Sequence, residues 1–381
     1  MRKAIRASSF NRCVFFNLAD FVRPGAASCL LASRLPLCQG RQVCFMGDSN
    51  SFTNHSFEII EKFVFFLELC YLCLVKSSCC DLEREMDMAE KKLRFALFGK
   101  VFQDNKSTAI RRILDFLRER EAEVYIHRVF YDYLTKVLKM EISAGGVFDD
   151  YDVEVDYALS VGGDGTFLKA SSLVGARQTP IMGVNTGRLG FLADVLPAEV
   201  EQALGEIYEG KVRIERHTMI QLEADGEPIE GNPCALNDIA VLKRDMASMI
   251  SIRACVNGEY LVTYQADGLI VSTPTGSTAY NLSNGGPIMV PSDRNLCITP
   301  VAPHSLNIRP IVVRDDARIE LEVESRSHNF LVAIDGRSEK LVEGTRLTVS
   351  KAPYEVKMVK RLNQRYFSTL REKMMWGADQ R

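Results

Sequence analysis

The chain has 381 residues, a formal net charge of −2, 46% apolar residues and 25% charged residues. That length allows two or three domains, and the composition is that of an ordinary globular protein. The small net charge argues against a nucleic-acid partner, because such partners are normally bound by a strongly basic surface.

Residues 1–87 differ in texture from the rest of the chain. They contain most of the cysteines and one long apolar run, residues 63–75, which is interrupted by Glu68. At about thirteen residues the run is shorter than the roughly twenty that a membrane span needs, so no membrane span is predicted. Two interpretations remain open. The segment is either translated from a start upstream of Met86 or Met88, or it is an appended domain or targeting segment.

The cysteines favour a reducing compartment. Eight of the eleven lie before residue 81, and the remaining sequence has the pattern of an intracellular enzyme. We therefore expect reduced thiols and a cytoplasmic location. Cys70 and Cys73 have the spacing of half a zinc site, but no second Cys or His pair with zinc-ribbon spacing lies nearby, so zinc is the less favoured interpretation.

Strands and helices alternate from residue 88 to about residue 210. The predicted strands are 93–98, 124–127, 157–161 and 180–184. The predicted helices are 108–121, 130–140, 166–174 and 197–208. Such alternation is typical of a parallel sheet with helices on both faces. Ligands of these sheets bind beyond the carboxyl ends of the strands, where residues 162–165 and 185–190 fall.

The turn Gly162-Gly163-Asp164-Gly165-Thr166 joins the third of these strands to a helix. Glycine permits a positive φ and a close approach to a ligand, and the free N–H groups of a helix N-terminus favour phosphate. A carboxylate is unexpected in a loop that only binds phosphate, because like charges repel. Asp164 therefore suits a general base or a ligand of a divalent metal, and the structural alternative is an N-cap. Lys169 suits either a phosphate contact or a solvated surface position.

After residue 210 the hydrophobic period changes to two, which predicts an antiparallel β region. Hairpin turns are predicted at Asp225-Gly226, Gly231-Asn232, Asn257-Gly258 and Asp335-Gly336. The final residues are more polar and end in a helical pattern over 367–374. The predicted organisation is an atypical Cys-rich extension over 1–87, an α/β domain over 88–210, a β-rich domain over 211–350, and a tail over 351–381 that packs back on the α/β domain.

A second motif occupies residues 267–280, where a strand leads into a loop rich in Thr, Pro, Gly and Ser. These hydroxyls and amides suit phosphate or ribose hydroxyls, Tyr280 suits stacking on a base, and Asp267 has no evident structural partner. The alternative is a Ser/Thr-rich turn followed by a short capped helix. Asn237-Asp238 suits either sugar hydroxyls or an Asx-turn, and His304 suits a structural position better than a catalytic one.

Four blocks of the chain, in this order, resemble the signatures of the NAD kinase family. They are residues 161–168 (VGGDGTFL), 183–194 (GVNTGRLGFLAD), 267–280 (DGLIVSTPTGSTAY), and 283–287 (SNGGP) together with 303–310 (PHSLNIRP). The resemblance covers about residues 91–360. Gly-Gly-Asp-Gly-Thr is shared with lipid kinases of the diacylglycerol and sphingosine type, whereas the Asn-Thr-Gly-Arg-Leu-Gly and Thr-Pro-Thr-Gly-Ser-Thr-Ala-Tyr runs are far more specific.

The resemblance implies that the γ-phosphate of ATP is transferred to the 2′-hydroxyl of the adenosine ribose of NAD+, giving NADP+. It implies an α/β N-terminal domain with a phosphofructokinase-like or Rossmann-like parallel sheet, and a mainly-β C-terminal domain that binds NAD. It also implies a divalent metal ion, expected to be Mg²⁺, and a homo-oligomer, either a dimer or a tetramer.

The resemblance further implies that Asp164 is the proton acceptor. The implied NAD contacts are Asp164, Gly165, Lys169, Asn237, Asp238, Asp267, Thr278, Ala279, Tyr280, Asn281, Leu282, Ser283 and Ala302. No residue is assigned as a metal ligand. Two positions depart from the family pattern: Asp238 replaces a frequent Glu, and Arg337 replaces a frequent Gln. The competing hypotheses are a lipid kinase and a nucleotide-binding regulatory protein without turnover.

Overall fold

The computed structural model of the protein describes residues 92–99, 107–187, 190–226, 228–245 and 248–377. The hypotheses about the extension over residues 1–87, including its cysteines and alternative starts, lie outside the described residues. Within these ranges, none of the helices is both long enough and apolar enough to span a membrane.

The strands are β1 (Arg94–Gly99), β2 (Glu123–His127), β3 (Gly146–Phe148), β4 (Tyr157–Gly162), β5 (Ile181–Asn185), β6 (Val212–Ala224), β7 (Cys234–Ala235), β8 (Asp238–Lys243), β9 (Ile250–Val256), β10 (Glu259–Ala266), β11 (Gly268–Ser272), β12 (Asn295–Val301), β13 (Ile311–Arg314), β14 (Ile319–Glu324), β15 (Asn329–Ile334), β16 (Arg337–Val342) and β17 (Arg346–Arg361). The helices are α1 (Ser107–Glu119), α2 (Arg128–Asp132), α3 (Asp164–Val174), α4 (Val200–Tyr208), α5 (Tyr280–Ser283) and α6 (Tyr366–Met374). Short 3-10 turns occur at Gly175–Arg177, Pro197–Glu199 and Thr275–Thr278.

The predicted parallel sheet with helices on both faces is confirmed. Strands β3, β2, β1, β4 and β5 are adjacent in that order, and every pair among them is parallel. Side chains alternate along β1: Phe95 and Leu97 pack in the core that contains α1 and α4, whereas Ala96 and Phe98 pack in the core that contains α3. Because β4 ends at Gly162, the Gly-rich turn lies at the carboxyl edge of this sheet.

The predicted helix over 130–140 differs from the observed one. Helix α2 passes into a π-helical turn, Tyr133–Val137, and ends there. Lys139 has a φ of +51°, a conformation that cannot continue a right-handed helix. The wider turn keeps Tyr133 and Leu134 buried and leaves Val137 exposed.

The antiparallel β region after residue 210 is also confirmed, but it does not form a separate sheet. Strand β17 pairs with β6 and β14 and also joins β5 in parallel through Met358 and Ile181. One sheet therefore extends from the parallel strands into the β region, across the boundaries expected near residues 210 and 350. The division into domains stays a prediction.

Two of the predicted hairpin turns join adjacent strands directly, namely Asn257-Gly258 and Asp335-Gly336. Asp225-Gly226 and Gly231-Asn232 instead lie in one longer connection between β6 and β7, so they do not close two separate hairpins.

A second, six-stranded antiparallel sheet has the order β13-β12-β11-β8-β15-β16. Its inner face packs against the β part of the first sheet. The shared core contains Val241 and Leu269 from the second sheet and Ile252, Leu321 and Val349 from the first, all at most 1% exposed. The loops at the two ends of β8 and β11 contain most of the remaining predicted site residues.

Candidate functional site

Asp164 is the first residue of α3, and its carboxylate binds a distant stretch of backbone. Oδ2 accepts the N–H of Phe191 at 2.7 Å, and Oδ1 accepts the N–H groups of Leu192 and Ala193 at 3.0 Å each. The N-cap position belongs to Gly163, and no side chain caps the helix. The N-cap interpretation of Asp164 is therefore wrong, because the carboxylate fastens the 191–193 segment over the start of α3.

The glycines of the Gly-rich turn matter because they lack side chains and not because they adopt positive φ values. None of Gly162, Gly163 and Gly165 has a positive φ, contrary to the expectation from sequence. A side-chain carbon on Gly162 would overlap Thr166, whereas the corresponding positions at Gly163 and Gly165 have no atom within 4 Å. Gly162 is thus required by packing, and the other two glycines leave room for a ligand beside the helix N-terminus. Lys169 is exposed on the same helix.

The segment after β5 is folded onto this turn by a residue that sequence reasoning did not assign. The Asn185 side chain accepts the N–H of Gly187 at 2.6 Å and donates to the carbonyl of Ala193 at 3.1 Å. Thr186 N–H donates to the carbonyl of Gly162 at 2.9 Å. The sequence signals for Asn185 were its place in the 183–194 block and its position at the carboxyl end of a predicted strand.

Asn237-Asp238 is held by a second carboxylate. Asp335 accepts the backbone N–H groups of Leu236, Asn237 and Asp238 at 2.8, 2.8 and 3.2 Å. Burial, together with the charge of Asp335, raises the pKa of Asp238 to about 7. Burial likewise raises the pKa of Asp335. Asp335 supports the predicted site although its sequence signal was only that of a hairpin turn.

The loop after β11 packs on the same dipeptide. A side-chain carbon on Gly276 would overlap the carbonyl of Asn237, so this close approach requires glycine. Asn281 is fully buried, and its side chain accepts from Thr299 and donates to the carbonyls of Ser277 and Pro287. The side chain of Asn281 is thus fully engaged within the protein.

The other predicted contacts of this loop are more accessible. Tyr280, the residue predicted to stack on a base, is 39% exposed. The other predicted NAD contacts of this loop are half-buried or exposed, namely Thr278, Ala279, Leu282 and Ser283.

Asp267 and Ala302 lie apart from these residues. Asp267 forms an ion pair with Lys243 at 2.6 Å, which corrects the expectation that it had no structural partner. The N–H of Asp267 donates to Val301, next to Ala302, whose φ of +43° is unusual for a residue other than glycine.

The strand register shows how far apart the two groups are. Asp267 precedes the first residue of β11, whereas Ser272, paired with Asp238, is the last. Five extended residues span about 16 Å. The predicted contacts on the second sheet therefore fall at two opposite ends of β11.

A cavity of about 290 Å³ adjoins the 191–194 segment. His217 is buried in its wall, with Nδ1 at 2.8 Å from the Thr275 hydroxyl and Nε2 at 3.6 Å from Glu215. Burial lowers the pKa of His217, while the contact with the His217 imidazole is the main cause that lowers the pKa of Glu215 to about 2. His217 was not predicted, because a histidine inside a strand gives no distinctive signal.

Two family models match the chain. The ATP-NAD kinase N-terminal domain matches residues 99–212, and the ATP-NAD kinase C-terminal domain matches residues 236–361. An NAD kinase of Bacteroides fragilis is 54% identical over 289 residues, which are 76% of this chain and 100% of that protein. An NAD kinase of Porphyromonas gingivalis is 42% identical over 285 residues, 75% of this chain and 98% of that protein.

Solved structures show the same architecture. A yeast NADH kinase complexed with NADH superposes with a TM-score of 0.69 at 20% identity, covering 76% of this chain and 89% of the yeast chain. That likeness concerns the fold. An NAD kinase from Archaeoglobus fulgidus in complex with ATP superposes with a TM-score of 0.58 at 29% identity, covering 74% of this chain and 99% of the other.

Proposed function

Because the chain belongs to the NAD kinase family, we propose that Asp164 is the residue that accepts the proton of the NAD+ ribose in its reaction. The enzyme is a phosphotransferase that makes NADP+ from NAD+ and ATP. The observation that supports the proposal is the geometry of the Asp164 carboxylate, which three backbone N–H groups fix at the open N-terminus of α3.

In the proposed step, Asp164 takes the proton of the 2′-hydroxyl while the phosphoryl group is transferred. The 2′-oxygen of the adenosine ribose forms a bond to the γ-phosphorus of ATP, the bond from that phosphorus to the β–γ bridging oxygen breaks, and ADP leaves. A carboxylate has about four acceptor positions, and three of those of Asp164 are occupied by N–H groups, so one remains for the hydroxyl proton. A hydroxyl is a weak nucleophile, and a positioned base typically contributes about 10²–10⁴-fold to the rate.

We propose that the other predicted residues bind the two nucleotides. Gly165, where a side-chain carbon would meet no atom within 4 Å, would admit phosphates at the helix N-terminus, and the exposed Lys169 would contact them. Asn237, Asp238 and the 278–283 segment would bind the sugar and base of NAD, with Tyr280 available for stacking. Asn281 would take part only through its backbone, since its side chain is engaged inside the protein.

A divalent cation, expected to be Mg²⁺, would be held by the phosphates of ATP and by water. Among the described residues no group of three or more His, Cys, Asp or Glu side chains is arranged to hold a metal. That fits Mg²⁺, which usually keeps several waters and binds through substrate phosphates with few protein ligands. The ion would neutralise charge on the phosphates, and no protein ligand is assigned.

The predicted NAD contacts form two separated groups, and a homo-oligomer, a dimer or a tetramer, would bring the two groups together from different subunits. Asp267 and Ala302 lie about 16 Å from the Asn237-Asp238 end of β11. We propose that Asp267 of the partner subunit completes the NAD site at the Asn237-Asp238 end. Cross-subunit complementation is the test: mixing an Asp267→Ala chain with an Asp238→Ala chain restores activity only if sites are shared.

A cytoplasmic location is proposed on the state of the described thiols. Cys234, Cys255 and Cys297 are free and buried. Free thiols are typical of a reducing compartment.

The lipid kinase alternative gains no support. The two family models and the relatives compared above are NAD or NADH kinases. The shared Gly-Gly-Asp-Gly-Thr turn alone does not favour a lipid substrate.

The deciding experiment measures NADP+ formation from NAD+, ATP and Mg²⁺ by the full chain, and binding of NAD+ by the Asp164→Asn variant. We expect turnover by the wild type, loss of turnover in the variant, and retained NAD+ binding. Turnover in the variant at the wild-type rate would refute the base assignment. A chain that starts at Met88, assayed in parallel, tests whether residues 1–87 are dispensable.

A further inference from the structure

The amine of Lys373 is buried beside the Asp164 site. Lys373 lies in the last turn of α6, and its Nζ is 4.0 Å from the centroid of the Phe191 ring. Nζ is inaccessible to solvent and has no hydrogen-bond partner within the described part of the chain. Phe191 is also the residue whose N–H binds Oδ2 of Asp164. The C-terminal helix thus brings a cation to the segment that Asp164 holds.

The charges around this amine are already engaged elsewhere. Lys373 interacts electrostatically with Asp164, Asp194 and Lys360. Asp194 forms a buried ion pair with Lys360, and Asp164 accepts three backbone N–H groups. Burial outweighs the attraction of the two carboxylates and lowers the pKa of Lys373 to about 8. Buried cations are normally paired, and within the described ranges both nearby carboxylates are already engaged, so this position suits a further anion.

We propose that Lys373 is a catalytic residue whose ammonium binds the phosphoryl group that ATP transfers. The inference rests on the proposed role of Asp164, because the 2′-hydroxyl and the γ-phosphorus must meet beside that carboxylate. During transfer, charge spreads over the three equatorial oxygens of the phosphoryl group. A compact ammonium beside the transferred group stabilises that charge, and Nζ reaches it by rotation of the flexible lysine side chain away from the Phe191 ring, where it is inaccessible to solvent.

A purely structural role makes different predictions. A lysine that only packs over Phe191 would contribute to stability through its cation–π contact. It would not affect turnover once the protein is folded. The two roles therefore separate in kcat measured at a temperature where all variants are folded.

The experiment uses the full chain and three substitutions. Lys373→Met keeps the length and the packing on Phe191 but removes the charge, Lys373→Arg keeps the charge, and Arg371→Met is the control on the exposed face of the same helix. We measure kcat, the KM values for ATP and NAD+, thermal unfolding, and calorimetric binding of inorganic tripolyphosphate.

We expect Lys373→Met to lower kcat by about 100-fold or more, the usual effect of losing one electrostatic contact in the transition state. The KM for NAD+ should stay within about twofold, tripolyphosphate binding should weaken, and Lys373→Arg should recover at least about tenfold in kcat. Arg371→Met should resemble the wild type.

A folded Lys373→Met enzyme with wild-type kcat and wild-type tripolyphosphate binding would overturn the inference and leave the role of Asp164 untouched. If Lys373→Met does not fold, Lys373→Gln is assayed in its place with the same criteria. Failure of the wild type to form NADP+ would instead overturn the proposed function.

Discussion

A side-chain carbon on Gly190 would overlap the carboxylate of Asp164, with Oδ1 as its nearest atom. Gly190 immediately precedes the residues whose N–H groups bind that carboxylate. The segment can close on Asp164 only because residue 190 has no side chain. The Gly-rich turn and the 183–194 block are therefore two halves of one structural unit.

The first prediction concerns Gly190→Ala. The added methyl group must displace either the carboxylate or the 191–193 backbone, and each choice breaks N–H contacts of Asp164. We expect the free energy of unfolding to fall by about 1–3 kcal/mol and kcat to fall by at least about 100-fold. Denaturant titration and NADP+ formation measure the two effects.

The matched control is Gly205→Ala. Gly205 lies inside α4, and a side-chain carbon there meets no atom within 4 Å. Alanine is favoured over glycine in helices by up to about 1 kcal/mol, so this variant should be slightly more stable and fully active. If Gly190→Ala were as stable and as active as Gly205→Ala, the packing of Gly190 on Asp164 would contribute to neither stability nor activity.

The second prediction compares two aspartates that make the same contacts. Asp164 and Asp335 each accept three backbone N–H groups. An asparagine at either position presents an NH₂ group to at least one N–H donor, so each Asn variant should lose about 1–3 kcal/mol of stability. Only Asp164→Asn also removes the proton acceptor.

We therefore expect Asp164→Asn to lose kcat by about 10²–10⁴-fold. Asp335→Asn should mainly raise the KM for NAD+, because Asp335 supports Asn237 and Asp238. Steady-state kinetics at a temperature below both unfolding transitions separates the two outcomes. Equal losses of kcat in the two variants would show that the loss at Asp164 is merely structural.

Local sequence patterns predicted the parallel sheet well, since buried strands and amphipathic helices leave a clear hydrophobic period. The helix predicted over 197–208 is observed as α4, and its regularly spaced apolar residues Val200, Ala203, Leu204 and Ile207 are all buried. The parallel pairing of β17 with β5 was not predictable. Nothing in the local period of a strand tells which distant strand it will join.

The candidate site, like the fold, was predictable in its local motifs but not in its long-range contacts. The positions of Asp164 and of the loop after β11 were evident from motifs, but their partners were not. The 191–193 backbone, the support of Asn237 by Asp335, and the ion pair of Asp267 with Lys243 are all contacts between residues distant in sequence. Residue type showed that a carboxylate was present without showing how its acceptor positions were used.

The third prediction concerns pH and Asp238. Its carboxyl has a pKa of about 7 in the folded protein, against 3.8 for an ordinary Asp, because of burial and the charge of Asp335. Between these values the folded state binds more protons than the unfolded state, so its stability falls as the pH rises. This contribution is fully present below about pH 4 and is lost as the pH passes about 7.

The Asp238→Asn variant lacks the carboxyl group that titrates in the wild type. The free energy of unfolding of the wild type minus that of the variant should fall by about 3 kcal/mol between pH 5 and pH 8. Urea titrations of the nucleotide-free protein at both pH values measure it, with Asp225→Asn, a change in an exposed turn, as the control. A difference that does not vary with pH would mean that Asp238 is ionised throughout this range.

The fourth prediction concerns the ion pair between Lys360 in β17 and Asp194, which directly follows the 191–193 segment that binds Asp164. Both residues are 8% exposed. Removing one partner leaves the other charge buried and unpaired, so Lys360→Met or Asp194→Leu alone should cost about 3–5 kcal/mol of stability. Replacing both removes two desolvated charges at once, so the double variant should lose far less than the sum of the single losses.

A double-mutant cycle on the unfolding free energies measures this coupling, which should be at least about 2 kcal/mol. Arg361 and Glu206 link the same strand to α4 and provide a comparison, since the side chain of Glu206 is 17% exposed against 6% for that of Asp194. Its coupling should therefore be smaller. Strict additivity at Lys360 and Asp194 would show that the pair does not fasten the C-terminal strand to the Asp164 site.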